Sequence, residues 1–318
     1  MAERLHYSGL PMPLKGIVPP MVTPLRDRDA LDVEGLECLI EHILAGGVSG
    51  LFILGTTGEA PSLSYRLRRE LIDRVCRQVD ARVPVLVGVT DTSFIESVAL
   101  ARHAAEAGAQ AVVLSAPFYF PAGQWELIEY VENISAELPL PVFLYNMPSH
   151  TKLTFEPDAI SQLMNIRSIV GLKDSSGDMV YFHQIRRLAK ERPDWTVLIG
   201  PEELLGEAVL LGGDGGVSGG ANLCPSLYVD LYEAARRHDS EKVAELHGRV
   251  MRIAETLYTV GRHGSAIIKG LKCSLSCLGI CNDFMAEPFQ CFADAQRRLI
   301  HDHLVDLGFL EEKVQEPA

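Results

Sequence analysis

Short apolar runs alternate with longer amphipathic stretches along most of this chain. The runs are GIVPPMV (16–22), SGLFILG (49–55), PVLVGV (84–89), AVVLSA (111–116), PVFLYN (141–146), SIVGLK (168–173), TVLIG (196–200) and GGVSG (215–219). They are rich in Val, Ile and Leu and are apolar on both faces, the pattern of parallel strands buried on both sides. Between them lie YRLRRELIDRVCRQV (65–79), FIESVALARHAAEAG (94–108) and YFHQIRRLAKE (181–191). The last places apolar residues at three- and four-residue spacing, the repeat of an amphipathic helix.

Eight strand–helix units predict an α/β fold, a (β/α)₈ TIM barrel rather than an open doubly wound sheet. Residues 226–312 add four helical patterns, LYVDLYEAARRH, SEKVAELHGRVMRIAETLY, SAIIKGLKCSLSCLG and FQCFADAQRRLIHDHLVDLG. The first can close the eighth unit, and the others predict a C-terminal helical appendage. The expected division is an N-terminal extension (1–15), a barrel (16–238) and the helical extension (239–318). Length alone, at about 150 residues per domain, would suggest two domains, but barrels of this size form one unit.

Composition narrows the partners. A net charge of -13 argues against nucleic acid or an anionic membrane surface, both of which need basic patches. The start, MAERLHYSGLPMPLKG, has no continuous apolar core of a signal peptide, and no stretch of about 18 apolar residues occurs. The seven cysteines are thinly spread and read as reduced thiols, so a cytoplasmic location is expected. Cys273, Cys277 and Cys281 fall four apart on an expected helix. The first and last would then lie about 12 Å apart, too far for one metal ion, so they read as core residues.

In such a barrel the chemistry sits at the C-terminal ends of the strands. The second strand runs into Gly55-Thr56-Thr57-Gly58-Glu59. Two hydroxyls and free backbone N–H groups make an anion nest suited to a carboxylate, or a tight turn with Thr as a helix cap. The fourth strand leads into Pro117-Phe118-Tyr119-Phe120-Pro121, an aromatic wall, a lid or an oligomer contact. The fifth ends at Tyr145, before Asn146-Met147-Pro148-Ser149-His150. A phenol there is either a proton relay or a buried, satisfied hydroxyl.

The sixth strand ends in Gly171-Leu172-Lys173-Asp174-Ser175-Ser176-Gly177. Lysine is seldom buried without a reason, yet Lys173 closes an apolar strand. Burial disfavours the charged ammonium, and a neutral amine attacks a carbonyl carbon. The alternatives are a lysine reaching the rim or paired with Asp174. Gly200 and Glu202, after the seventh strand, are further candidate substrate contacts, or ordinary helix-start chemistry. Ser218, in the glycine-rich Gly212–Gly220 stretch, is another.

Gly-Thr-Thr-Gly-Glu, Tyr-Asn-x-Pro and Gly-Leu-Lys-Asp-Ser-Ser-Gly-Asp, in this order on strands two, five and six, resemble the N-acetylneuraminate lyase / dihydrodipicolinate synthase family. The resemblance runs from about Gly16 to Leu278-Gly279-Ile280. It implies that Lys173 condenses with the keto group of pyruvate or a related 2-keto acid. It implies that Tyr145 shuttles protons and that Thr56 and Thr57, with Gly55, hold the keto-acid carboxylate. Tyr119 matches a tyrosine that reaches the neighbouring subunit's site, in a homotetramer built as a dimer of dimers. No metal or organic cofactor is implied, since the Schiff base is itself the electron sink.

The chain departs from the family pattern in places. The synthase branch has arginine two residues after the proline of Tyr-Asn-x-Pro, where this chain has His150. Neutral imidazole does not replace a bidentate guanidinium, which argues against the lysine-biosynthesis reaction. The sialate lyase branch has Ser-Thr in place of Thr56-Thr57 and serine in place of Gly219. Gly-Val-Ser-Gly-Gly is closer to the sugar-acid aldolases and dehydratases. The leading expectation is therefore a retro-aldol lyase releasing pyruvate from a 2-keto-3-deoxy sugar acid or sialate-like substrate. A dehydratase or a synthase on the same scaffold stays open, as do a sugar-phosphate barrel enzyme and a non-catalytic keto-acid sensor.

Overall fold

The computed structural model describes residues 9–311. Eight parallel strands form one curled sheet: β1 (Gly16–Ile17), β2 (Leu51–Ile53), β3 (Val85–Gly88), β4 (Ala111–Ser115), β5 (Val142–Asn146), β6 (Ile169–Asp174), β7 (Thr196–Ile199) and β8 (Gly215–Gly216). Neighbours pair in sequence order from β2 to β8, and β8 pairs with β1. The first and second strands also meet, with the amide of Phe52 donating to Pro19 at 3.0 Å and that of Met21 to Phe52 at 2.8 Å. The expected first strand, 16–22, shrinks to two residues because Pro19 and Pro20 have no N–H to donate.

Alternate strand residues face opposite ways. Val18, Phe52, Leu86, Val113, Phe143, Val170, Leu198 and Val217 pack together on the inner side. Ile53, Val87, Leu114, Leu144, Leu172 and Ile199 face outward against the helices. Leu10 and Leu14 join the inner cluster, and the amide of Leu14 donates to Thr196 Oγ1 at the start of β7. The N-terminal segment thus plugs the end where the strands begin and leaves their C-terminal ends as the mouth. Residues 1–8 of the expected N-terminal extension lie outside the described residues.

The surrounding helices begin at side-chain caps. Ser64 accepts from the amide of Leu67, and Asp178 from those of Val180 and Tyr181. Helix Tyr65–Val79 covers the predicted span. Phe94–Glu106 stops two residues short of its predicted end, with Gly108 at φ 93° breaking the helix. After Pro225–Arg236, three helices follow: Ser240–Leu257, Ala266–Cys277 and Asp294–Asp306. Cys281 falls beyond the second of these, because Gly279 at φ 74° ends the turn, so the expected single helix over the three cysteines is not formed. Cys273 and Cys281 are buried and Cys277 half-buried. No helix among the described residues is long and apolar enough to cross a membrane.

Candidate active site

Register brings the sequence-predicted groups side by side. Tyr145 on β5 pairs with Lys173 on β6, and Ser115 on β4 pairs with Tyr145. Lys173 is only 6% exposed. Its Nζ lies 4.0 Å from the centroid of the Tyr145 ring and 5.2 Å from that of Phe52. Two residues below, Gly171 makes room for the Phe143 ring, which a Cβ there would meet at 2.7 Å. Lys173 is not paired with Asp174. That carboxylate takes Asn146 Nδ2 at 2.8 Å, the amide of Ser176 at 3.1 Å and its hydroxyl at 3.0 Å. The acid next to the lysine is therefore occupied with holding the strand ends.

The Tyr145 hydroxyl and Thr56 Oγ1 are 3.3 Å apart. Burial alone would raise the phenol's pKa, but the Lys173 charge and the polar side chains of Thr56, Lys173 and Ser175 around it bring it below its ordinary value. Ser175 was not singled out from the sequence. It fits there because Gly200, just past the end of β7, has no Cβ, which would sit 1.9 Å from the Ser175 hydroxyl.

The loop after β2 is wound tightly. Leu54 and Glu59 both take left-handed φ values, 58° and 56°. For side chains of this kind that conformation is costly and is held only by surrounding contacts. Gly88 allows the loop to press in, since a Cβ there would lie 2.1 Å from the Leu54 carbonyl oxygen. Among the described residues, no acceptor meets the backbone N–H of Thr56 or Thr57. Of the two, Thr56 belongs to the cavity lining.

Gly55, Thr56, Tyr145 and His150 line a cavity of about 360 Å³ at this mouth. Glu59, Thr90, Ser115, Phe118, Ile268 and Phe289 are also part of its wall. The lining contains neither arginine nor a lysine. His150, on the short helix Pro148–Thr151, has its Nδ1 3.0 Å from the Ser149 hydroxyl. Burial, then the charges of Lys152 and Lys173, hold its pKa below the ordinary value, so it is neutral near pH 7.

The other predicted residues lie apart from this group. Thr57 is half-buried and outside the cavity wall. Tyr119 is 76% exposed and stacks edge-on against Phe120. Ser218 is fully buried, while its neighbour Val217 belongs to the inner cluster. Glu202 is buried and accepts from the amide of Gly220 at 2.7 Å and from the hydroxyls of Tyr228 and Tyr258 at 2.7 and 2.8 Å. Those bonds tie the loops after β7 and β8 to the appendage. No group of three or more metal-ligating side chains occurs among the described residues.

The model of the dihydrodipicolinate synthetase family matches residues 13–306. A dihydrodipicolinate synthase structure from Bacteroides thetaiotaomicron is 54% identical, with a TM-score of 0.91 over 93% of this chain and 99% of that one. YagE from Escherichia coli K12, solved in complex with pyruvate, is 30% identical, with a TM-score of 0.88 over 94% of this chain and all of that one. In a sequence comparison YagE, for which a 2-dehydro-3-deoxy-D-gluconate aldolase activity is proposed, is 35% identical over 76% of this chain and 80% of its own length. YjhH from the same strain, proposed to be a 2-dehydro-3-deoxy-D-pentonate aldolase, is 32% identical over 83% of this chain and 87% of its own length. The chain belongs to the dihydrodipicolinate synthetase family and is a lyase of the class I aldolase type.

Proposed function

We propose that this enzyme cleaves a 2-keto-3-deoxy sugar acid to pyruvate and an uncharged aldehyde, with Lys173 as the amine that forms the Schiff base. The observation that carries the reading is the meeting of Lys173, Tyr145 and Thr56 beside one cavity at the mouth of the sheet. In this mechanism Lys173 Nζ attacks the C2 carbonyl, and loss of water leaves the iminium. Tyr145 carries the protons into and out of these steps. Removal of the C4 hydroxyl proton breaks the C3–C4 bond, and the electron pair passes into the iminium to give an enamine. Protonation at C3 and hydrolysis release pyruvate and return Lys173. Thr56 and Thr57 hold the C1 carboxylate with their free amides.

The substrate assignment is supported by the aldolase activities proposed for YagE and YjhH and by the lack of a lining cation for a second carboxylate. A second reading, condensation of pyruvate with aspartate semialdehyde, is favoured by the 54% identity to the Bacteroides synthase. The two are separated by assaying both reactions on one preparation. Pyruvate release from 2-keto-3-deoxy sugar acids should exceed condensation by a few powers of ten, since an unpaired buried carboxylate costs several kcal/mol. Efficient condensation, undiminished in His150→Ala, would establish the synthase reading. Retention of every substrate carbon in one keto acid would mark a dehydratase.

We further read the curled sheet as a closed (β/α)₈ barrel spanning 16–238, with 239–318 as its helical appendage, in a cytoplasmic homotetramer. The Pro19–Phe52 and Phe52–Met21 hydrogen bonds support closure. Phe118, Tyr119, Phe120 and Trp125 leave a large apolar surface uncovered, which supports an assembly in which Tyr119 reaches a neighbouring site.

A further inference from the structure

Glu59 ends the Gly-Thr-Thr-Gly-Glu loop and belongs to the cavity lining, and its carboxylate is bonded to Lys272 and the Ala286 amide of the appendage. Its carboxylate meets Lys272 Nζ at 2.6 Å, with the two side chains 2% and 0% exposed. Its other oxygen accepts from the amide of Ala286 at 2.9 Å. Lys272 Nζ also donates to the carbonyl of Phe284 at 2.5 Å. Lys272 belongs to helix Ala266–Cys277, which presents Ile268 to the cavity, and the segment through Ala286 leads to Phe289 on the same wall. A buried ion pair is poor evidence for added stability, because its desolvation cost rivals its attraction. Its geometric effect is clear. One ammonium and one carboxylate join the loop after β2 to two segments of the appendage more than 200 residues away, and Glu59, Ile268 and Phe289 from these stretches all line the cavity.

We propose that Glu59 and Lys272 are positioning residues that couple the carboxylate-holding loop to the wall facing the aldehyde half of the substrate. Neither touches the reacting atoms. Glu59 holds a left-handed backbone at φ 56°, and the Lys272 and Ala286 contacts help to keep it there, beside the bond from its own amide to the Thr56 carbonyl at 3.0 Å. Released from them, the loop relaxes and the amides of Thr56 and Thr57 move off the keto-acid carboxylate. The consequence falls on keto-acid binding and leaves the chemistry at Lys173 intact. This inference rests on the Schiff-base reading given above.

The test uses pyruvate and borohydride on the full-length native protein, Glu59→Gln and the double variant Glu59→Gln/Lys272→Met. The half-saturating pyruvate concentration for trapping, kcat, KM and the melting temperature are measured on each. Glu59→Gln should raise the half-saturating concentration roughly tenfold or more, since displacement of a positioning group is expensive for binding geometry. One adduct per chain should still form at saturation, and kcat should hold within about threefold. The double variant leaves no lone buried charge, so its melting temperature should recover while its pyruvate requirement stays raised. A native requirement in any folded variant, or one that recovers together with the melting temperature, would overturn the proposal. Should neither variant fold, hydrogen exchange on the native protein decides. Pyruvate should slow exchange at the Ala286 amide, and unchanged exchange there would overturn it. Absence of adduct in the native protein would instead remove the Schiff-base reading beneath it.

Discussion

In the proposed mechanism the Tyr145 hydroxyl, 3.3 Å from that of Thr56, carries the protons. Tyr145→Phe keeps the ring over the lysine and removes the relay, so turnover should fall about 10²–10⁴-fold with folding intact. Equal turnover in the two proteins would reduce Tyr145 to packing. The Thr56 hydrogen bond is among the influences that lower the phenol's pKa, so Thr56→Val should raise it. An acid whose pKa rises gives up its proton only at higher pH, and the rising limb of the kcat profile should move to higher pH. Lys173, Tyr145 and Thr56 were legible because unusual residues at the ends of apolar strands stand out without any structure. Ser175 was not, although it sits two residues from Lys173. Its position depends on the missing Cβ of Gly200, a relation between the segments that follow two neighbouring strands, which no local pattern records. Glu59 was visible in its motif, but its partner lies 213 residues away.

At the level of elements, the alternation of apolar runs and amphipathic stretches was enough to locate all eight strands, because each strand is buried on both faces. It overstated β1 and β8. Proline interrupts the ladder in the first, and the glycine-rich second turns into a short helix at Gly219–Asn222. The helices were located to within a turn except the last, whose pattern began five residues before Asp294, while the break before Cys281 depended on a left-handed glycine. Between β5 and β6 the pairing shifts near Val142 and Phe143. There the Phe143 ring lies over Gly171. Gly171→Ala would place a Cβ 2.7 Å from that ring and 2.7 Å from the Thr196 carbonyl oxygen. Overpacking of this kind costs about 1–3 kcal/mol, so thermal unfolding should occur at a distinctly lower temperature. An unshifted transition would contradict this arrangement of β5 against β6.

Across the whole molecule, two buried acids bind the appendage to the strand ends, one at Glu59 and one at Glu202. Burial raises the pKa of Glu202 above its ordinary value, although the Gly220 amide and the Tyr228 and Tyr258 hydroxyls oppose the shift. The folded state therefore keeps a proton that the unfolded chain releases as pH rises past 4.5. Glu202 contributes its full stability below that value and loses it as pH climbs through the raised folded pKa. The melting temperature of Glu202→Gln, relative to the native protein, should therefore become more favourable as pH rises above 4.5. A difference independent of pH would contradict the shift. The exposed Phe118, Tyr119, Phe120 and Trp125 predict an assembly well above the 34.9 kDa of one chain, which sedimentation measures, and Trp125→Glu should weaken it. A native species sedimenting as a single chain would contradict the proposed tetramer. The central claim is that Lys173 is the amine that binds the keto acid, and it is tested most directly by incubation with pyruvate and borohydride followed by intact and peptide mass. The account predicts one reduced pyruvyl group per chain, on Lys173, and none in Lys173→Ala. An adduct on Lys15 or Lys152, or one that persists in Lys173→Ala, would contradict it.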